Sequence, residues 1–177
     1  MTADPSTWGT STYGDPCRAC GFAWALSIDD ASAQMAEVPA AYVGLLAGAT
    51  GRERHPDLAW SVTAYVCHVG DNLRIWSERL MGVALGAAPE VGGYDENELA
   101  GARDYERIPL ESALWSLRMA VDQWLIAVAR SRQTEPVLLH PERGRQSVLE
   151  VAQSNLHDAR HHQWDIATTL RSPGPAA

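Results

Sequence analysis

Residues Ser61–Met81 read SVTAYVCHVGDNLRIWSERLM, and their apolar members Val62, Tyr65, Val66, Val69, Leu73, Trp76 and Leu80 recur at three- and four-residue steps. That period marks one face of an α-helix and not the alternation of a strand. Ser61 stands where an N-cap would offer its hydroxyl to the first free backbone amides. Working outward, three more helices follow the same logic. From Asp29 or Asp30, good N-cap types, Met35, Val38, Tyr42, Leu45 and Leu46 keep helical spacing, with Pro39 marking a kink or restart and Gly48 and Gly51 closing the element. Leu114, Leu117, Val121, Trp124, Leu125 and Val128 place a helix over 110–132, with Glu111 suited to the positive end of its dipole. Ser147 followed by Glu150 is a capping box for a helix reaching about Leu170, where Pro173 and Gly174 end it.

Four helices without convincing alternating strands indicate an all-α, four-helix bundle. At 177 residues the chain is long enough for one continuous core. Residues 1–27, rich in Gly, Pro, Ser and Thr but carrying Trp8, Tyr13, Phe22 and Trp24, read as an ordered N-terminal arm, and 28–172 as the bundle. Between the second and third helices, Gly82 to Pro109 is a long connection with six acidic residues. A connection of that length is a lid, a site wall or a partly disordered segment. Its acidic part, 94–106, reads as a solvated loop. The stretch 132–145 before the last helix has room for a short strand-like PVLL.

With 14 basic against 22 acidic residues the formal charge is −8, which repels nucleic-acid phosphates and anionic lipid surfaces, and no basic run offsets it. No apolar run approaches the roughly 20 residues of a membrane span, and the polar start of the chain lacks the features of a secretory signal, so a cytoplasmic location is expected. Three cysteines, Cys17, Cys20 and Cys67, are too few for a disulfide scaffold. Cys17 and Cys20 form a single CxxC without the second pair of a zinc ribbon; it reads as a turn or as a pair of auxiliary thiols.

Half of the six histidines fall in NLHDARHHQW, Asn155–Trp164. On a helix His157 and His161 are one turn apart, about 40° around the axis, close enough to share one metal ion. His162 lies about 100° further round, on another face, and reads as pointing to the bundle edge. A third donor is available in His68, set in the apolar helix of residues 61–81, where an unpartnered imidazole would be costly. If the second and fourth helices are neighbours, the three imidazoles could converge in the core. The alternatives are a solvent-facing stripe with Asp158, Arg160 and Gln163, and a core histidine bonded to a carbonyl or Asn72. Asn72, Asp158 and above all Asp165 are placed to orient the imidazoles.

The surroundings of His68, WSVTAYVCHVGDN, together with VLEVAQSNLHDARHHQWDI around the pair, resemble the DinB/YfiT-like superfamily of metalloenzymes over residues 30–170. The arm and the connection 82–109 lie outside that pattern. The resemblance implies a DinB-type four-helix bundle, commonly a homodimer, whose His68, His157 and His161 hold a divalent metal, often zinc or nickel. Some relatives carry glutamate at one of the paired positions. Related members include S-transferases and isomerases that use low-molecular-weight thiols such as mycothiol. The expectation is a metal-dependent transferase acting on a small-molecule substrate, with Asn72 and Asp165 in support and the catalytic residues unassigned. The alternatives are a metal-dependent hydrolase, or a metal or ligand binder without turnover.

Overall fold

The computed structural model describes residues 9–172. Trp8 with the start of the expected arm, and the expected terminators Pro173 and Gly174, lie outside the described residues. One turn, α1 (Thr10–Tyr13), sits in the arm; α2 (Ile28–Leu45), α3 (Val62–Ala84), a short α4 (Glu96–Ala102), α5 (Leu110–Ser131) and α6 (Val148–Arg171) follow. Local chemistry explains the starts. Ser61 caps α3, and Ser147 with Glu150 forms the expected capping box of α6. A second capping box, Ser27 with Asp30, begins α2 slightly before the expected position, and α2 runs on through Pro39 instead of restarting there.

α2 and α3 each pack on both α5 and α6, with α3 and α5 most extensively joined. Tyr42, Leu73, Trp76, Trp124, Leu156 and Ile166 are almost completely buried in the shared core. Each large apolar side chain so buried stabilises the fold by about 1.5–3 kcal/mol. Two buried hydrogen bonds set how α6 is turned about its own axis: Tyr42 donates to the Ala159 carbonyl at 2.7 Å, and Trp124 Nε1 donates to Asn155 Oδ1 at 2.9 Å. They come from α2 and α5, so α6 is held from two sides.

The acidic part of the connection, 94–106, is largely exposed as expected but is helical instead of a loop. Asp95 caps α4 by accepting from the amides of Asn97 and Glu98, and Tyr105, in a following 3-10 turn, is buried with its hydroxyl on Asp71. The strand-like PVLL becomes half of a hairpin, β1 (Leu138–His140) antiparallel to β2 (Gly144–Gln146), with Leu138 opposite Gln146. Leu139 also donates to the Pro89 carbonyl at 2.8 Å and accepts from Val91 at 3.0 Å, which ties the connection to the hairpin. Together they wall one end of the bundle.

The described part of the arm lies against α6. Gln153 donates to the Leu26 carbonyl at 2.9 Å, and Trp24 Nε1 donates to the Gly14 carbonyl at 2.9 Å. Gly9 adopts φ +96°, and a Cβ there would stand 2.8 Å from the Trp24 ring, so this turn requires glycine. Among the described residues, no helix is long and apolar enough to cross a membrane.

Candidate functional site

The helix α6 carries two interleaved pairs at the same spacing, His157 with His161 and Asp158 with His162, on faces about 100° apart. The structure uses them separately. Asp158 and His162 turn toward α3 and meet His68; His157 and His161 turn toward the arm and meet Cys17 and Cys20. Within each group the potential ligand atoms all lie within 4.8 Å of one another. His68 is therefore not brought together with His157 and His161. Residues 157 and 158 cannot face α3 at once, and the bundle presents the second.

In the α3 group, His68 Nε2 lies 3.7 Å and His162 Nε2 3.5 Å from Asp158 Oδ1. These separations are long for hydrogen bonds but suit neighbouring ligands of one ion bound at roughly 2.0–2.2 Å. Two of the remaining atoms, one on Asp158 and one on His162, are already occupied. Asn72 donates to Asp158 Oδ2 at 2.8 Å, which leaves Oδ1 for the centre. His162 Nδ1 donates to Asp165 Oδ2 at 2.8 Å, which leaves Nε2 for the centre. A carboxylate behind a ligating histidine fixes the ring and its tautomer. Asn72 and Asp165 thus stand in the supporting positions expected from the sequence, but behind Asp158 and His162. Nor does His162 point to the bundle edge.

Electrostatics reinforce the geometry. Burial alone would raise the Asp158 carboxyl, but the neighbouring His162, and after it His68, hold it well below the ordinary carboxylate range. Burial alone would lower His162; Asp158 and then Asp165 reverse this and push it up to about 9. In the metal-free chain this charged pair contributes stability fully between the ordinary carboxylate value of 3.8 and pH 6.5; the contribution is lost as pH rises through about 9, and again as pH falls through the depressed range of Asp158. Metal binding requires neutral imidazole, so an ion must displace the His162 proton. Apparent metal affinity at this centre is expected to rise about tenfold per pH unit between pH 7 and 9. Competition with a chromophoric chelator measures it, and Asp165→Asn should shift the rise to lower pH.

The group opens on a cavity of about 240 Å³, to which Tyr13, Trp60, Trp76, Arg79, Tyr94, Glu96, His140, Glu142 and Arg143 contribute. Every flanking segment supplies a wall: the arm, α3, the connection and the hairpin. Arg79 and Arg143 lie 4.7 and 5.2 Å from the Trp76 ring, which orders two guanidinium groups together. Burial, then the charges of Arg143 and Arg79, lower His140 to about 4, so its imidazole is neutral. A larger cavity, about 600 Å³ between α3 and α5, contains Cys67 and Asp71. Arg74, Arg103 and Tyr105 already engage Asp71, and neither metal-ligating group lies there.

In the arm group, Cys17 Sγ lies 3.7 Å from His161 Nδ1. His157 is almost fully buried, against Tyr13 and Trp24 at ring distances of 4.5 and 4.6 Å, and its Nε2 has no hydrogen-bond partner. Burial, then the His161 charge, lowers His157 to about 4; burial likewise lowers His161. Burial pushes the Cys20 thiol up to about 11. Cys17 moves the other way: burial opposes ionisation, but the Cys20 and Ala19 amides and the Cys20 thiol bring it below its ordinary value.

The DinB superfamily model matches residues 22–166. The chain belongs to the DinB superfamily. A solved DinB-like structure, YfiT from Bacillus subtilis, superposes with a TM-score of 0.72 at 18% identity, over 83% of this chain and 89% of that one. It is described as a probable metal-dependent hydrolase with an unusual four-helix bundle topology. At that identity the likeness concerns the fold. No curated protein sequence matches the chain. The DinB bundle is thus common to both, while the arm cysteines before residue 22 fall outside the family match. Asp158 as a candidate ligand, with His162 as its partner, is not among the residues read from the sequence as ligands. The available signal was the second i, i+4 pair, Asp158-x-x-x-His162, one position after the first.

Proposed function

We propose that this DinB-superfamily chain is a divalent-metal-dependent enzyme acting on small anionic molecules, with the ion held by His68, Asp158 and His162. The observation that carries this reading is the convergence of three ligand atoms at a polar cavity with two ordered arginines. Two imidazoles and one carboxylate are a donor set of hydrolytic zinc sites, and nickel accepts the same donors. A divalent ion there supplies Lewis acidity and lowers the pKa of the water or thiol in the open position. The set leaves one net positive charge, which favours an anion.

The chain's own residues account for the remainder. Asn72 and Asp165 hold Asp158 and His162 in their ligating orientations. Arg79 and Arg143 bind the substrate anion. His140 Nδ1 accepts from the Glu142 and Arg143 amides at 3.2 and 3.3 Å, so Nε2 carries the proton and serves as a neutral donor at the cavity wall.

The volume of about 240 Å³ suits a small substrate, since pockets that enclose drug-sized ligands run from about 300 to 1,000 Å³, and hydrolysis is supported by the likeness to YfiT, described as a probable metal-dependent hydrolase. The second reading is S-transfer from a low-molecular-weight thiol such as mycothiol. The arginine pair supports it, because a carboxylate-bearing thiol or acceptor could be clamped there with only its reacting end inside. Apo protein and protein reloaded with zinc or nickel should be assayed against carboxylate-bearing esters and amides, and against a thiol with an electrophilic acceptor. Metal-restored turnover in the first panel supports hydrolysis, and in the second S-transfer. Metal binding with equal rates in apo and loaded protein would leave a binding protein and overturn the enzyme reading.

None of the three cysteines forms a disulfide, the state that a reducing cytoplasm would maintain. A homodimer is supported by Trp115, 66% exposed, with Met119 and Ile126 along one side of α5. Sedimentation velocity tests it.

A further inference from the structure

We propose that Cys17, Cys20, His157 and His161 form a second, closed zinc site that staples the N-terminal arm to α6. Four ligand atoms within 4.8 Å of one another complete a Cys2His2 set with no position left for substrate. In a zinc tetrahedron with bonds of about 2.3 Å to sulfur and 2.0–2.1 Å to nitrogen, sulfur and nitrogen stand roughly 3.5 Å apart. The Cys17 Sγ to His161 Nδ1 distance of 3.7 Å matches that edge.

Three further observations point the same way. His157 Nε2 is buried without a partner, a costly condition that a metal bond removes. The turn is built to present both sulfurs: Cys17 N donates to the Phe22 carbonyl at 2.8 Å, and Gly21, at φ +73°, donates to the Cys17 carbonyl at 2.9 Å. Charge decides the rest. Two thiolates, two neutral imidazoles and Zn²⁺ sum to zero, so the site needs no counter-ion among Tyr13, Phe22 and Trp24, whose rings lie 4.5, 5.3 and 4.6 Å from that of His157. A soft sulfur and nitrogen tetrahedron selects zinc over harder ions.

The consequence reaches the reaction cavity. Tyr13 touches both histidines and also lines that cavity. The zinc therefore keeps a wall of the reactive centre in place without taking part in the chemistry, and the two adjacent faces of α6 divide into a closed structural site and an open one.

The test uses untagged full-length protein purified under reducing conditions. X-ray absorption at the zinc edge of the wild type should show sulfur neighbours at about 2.3 Å beside nitrogen neighbours at about 2.0–2.1 Å, with two sulfurs for each zinc at this site. Cobalt substitution should give thiolate charge-transfer absorption. About one zinc per chain should persist in Asp158→Ala with this sulfur signature, and Cys17→Ser with Cys20→Ser should abolish it. A zinc environment without sulfur in the wild type, or a Cys17–Cys20 disulfide in the reduced preparation, overturns the proposal. Both readings come from the wild type, so they hold even if the cysteine variant fails to fold. Failure of the Asp158 centre would appear separately, as loss of the sulfur-free component alone.

Discussion

Replacing Asp158 by alanine is expected to empty the metal centre at the cavity and to lower metal-dependent turnover by more than about 100-fold, since losing even an outer hydrogen bond to a ligand costs about 10–100-fold. Asp158 is where the centre's interactions meet. One oxygen faces both His68 and His162, and the other accepts from Asn72. Alanine removes a ligand and the negative charge that balances the ion, while His162 keeps its bond to Asp165. Asn72→Ala should fall within the smaller, 10–100-fold range, because it frees Asp158 to rotate without removing it. His157→Ala should leave the ion at this centre bound, and lower turnover less than Asp158→Ala, through the loosened Tyr13 wall alone. Metal content and turnover of the three variants check the order. Unchanged turnover in Asp158→Ala, with collapse in His157→Ala, would return the reactive metal to the histidine pair first read from the sequence.

Trp124→Ala is expected to destabilise the chain by about 3–5 kcal/mol, the range for deleting a buried aromatic ring. Trp124 is fully buried in α5, and its indole N–H is the partner of Asn155 Oδ1 on α6. Truncation leaves a cavity and also orphans a buried carbonyl, which by itself costs about 1–3 kcal/mol. At roughly 2–4 °C per kcal/mol for a chain of this size, Tm should fall by roughly 6–20 °C. Trp124→Phe, which keeps most of the volume and loses the hydrogen bond, should fall less. Thermal unfolding followed by circular dichroism reads both. A change below about 2 °C in Trp124→Ala would mean that this contact does not hold α6. Asn155 lies two residues before His157, so a loosened α6 should also weaken metal binding on both of its faces.

Most of the helical framework was legible because its signals are local. Ser61, and Ser147 with Glu150, satisfy amides within their own first turn, and the apolar period of 61–81 states which face is covered. The connection 82–109 was less legible, since its order comes from distant partners: Asp71 for Tyr105, and Leu139 for Pro89 and Val91. The same holds for the hairpin, where Leu138 and Gln146 pair across a turn and bury against the bundle. Ser27 shows a smaller gap. Its capping box uses Asp30, a shorter acid than the glutamate of the usual pattern.

For the metal chemistry, the residue types and their spacings are properties of the chain alone. Any α-helix through 157–162 sets His157 one turn from His161, Asp158 one turn from His162, and the two pairs about 100° apart. Which pair meets His68 cannot be read from spacing, because it depends on how α6 is rotated about its axis. Tyr42 on the Ala159 carbonyl and Trp124 on Asn155 set that rotation, with Leu156 and Ile166 buried in the core. It turns Asp158 and His162 toward α3 and leaves His157 and His161 for the cysteines of an arm more than 130 residues earlier. Helical periodicity is short-range and therefore written in the sequence, whereas the rotation of one helix among its neighbours is a sum over contacts from the whole bundle.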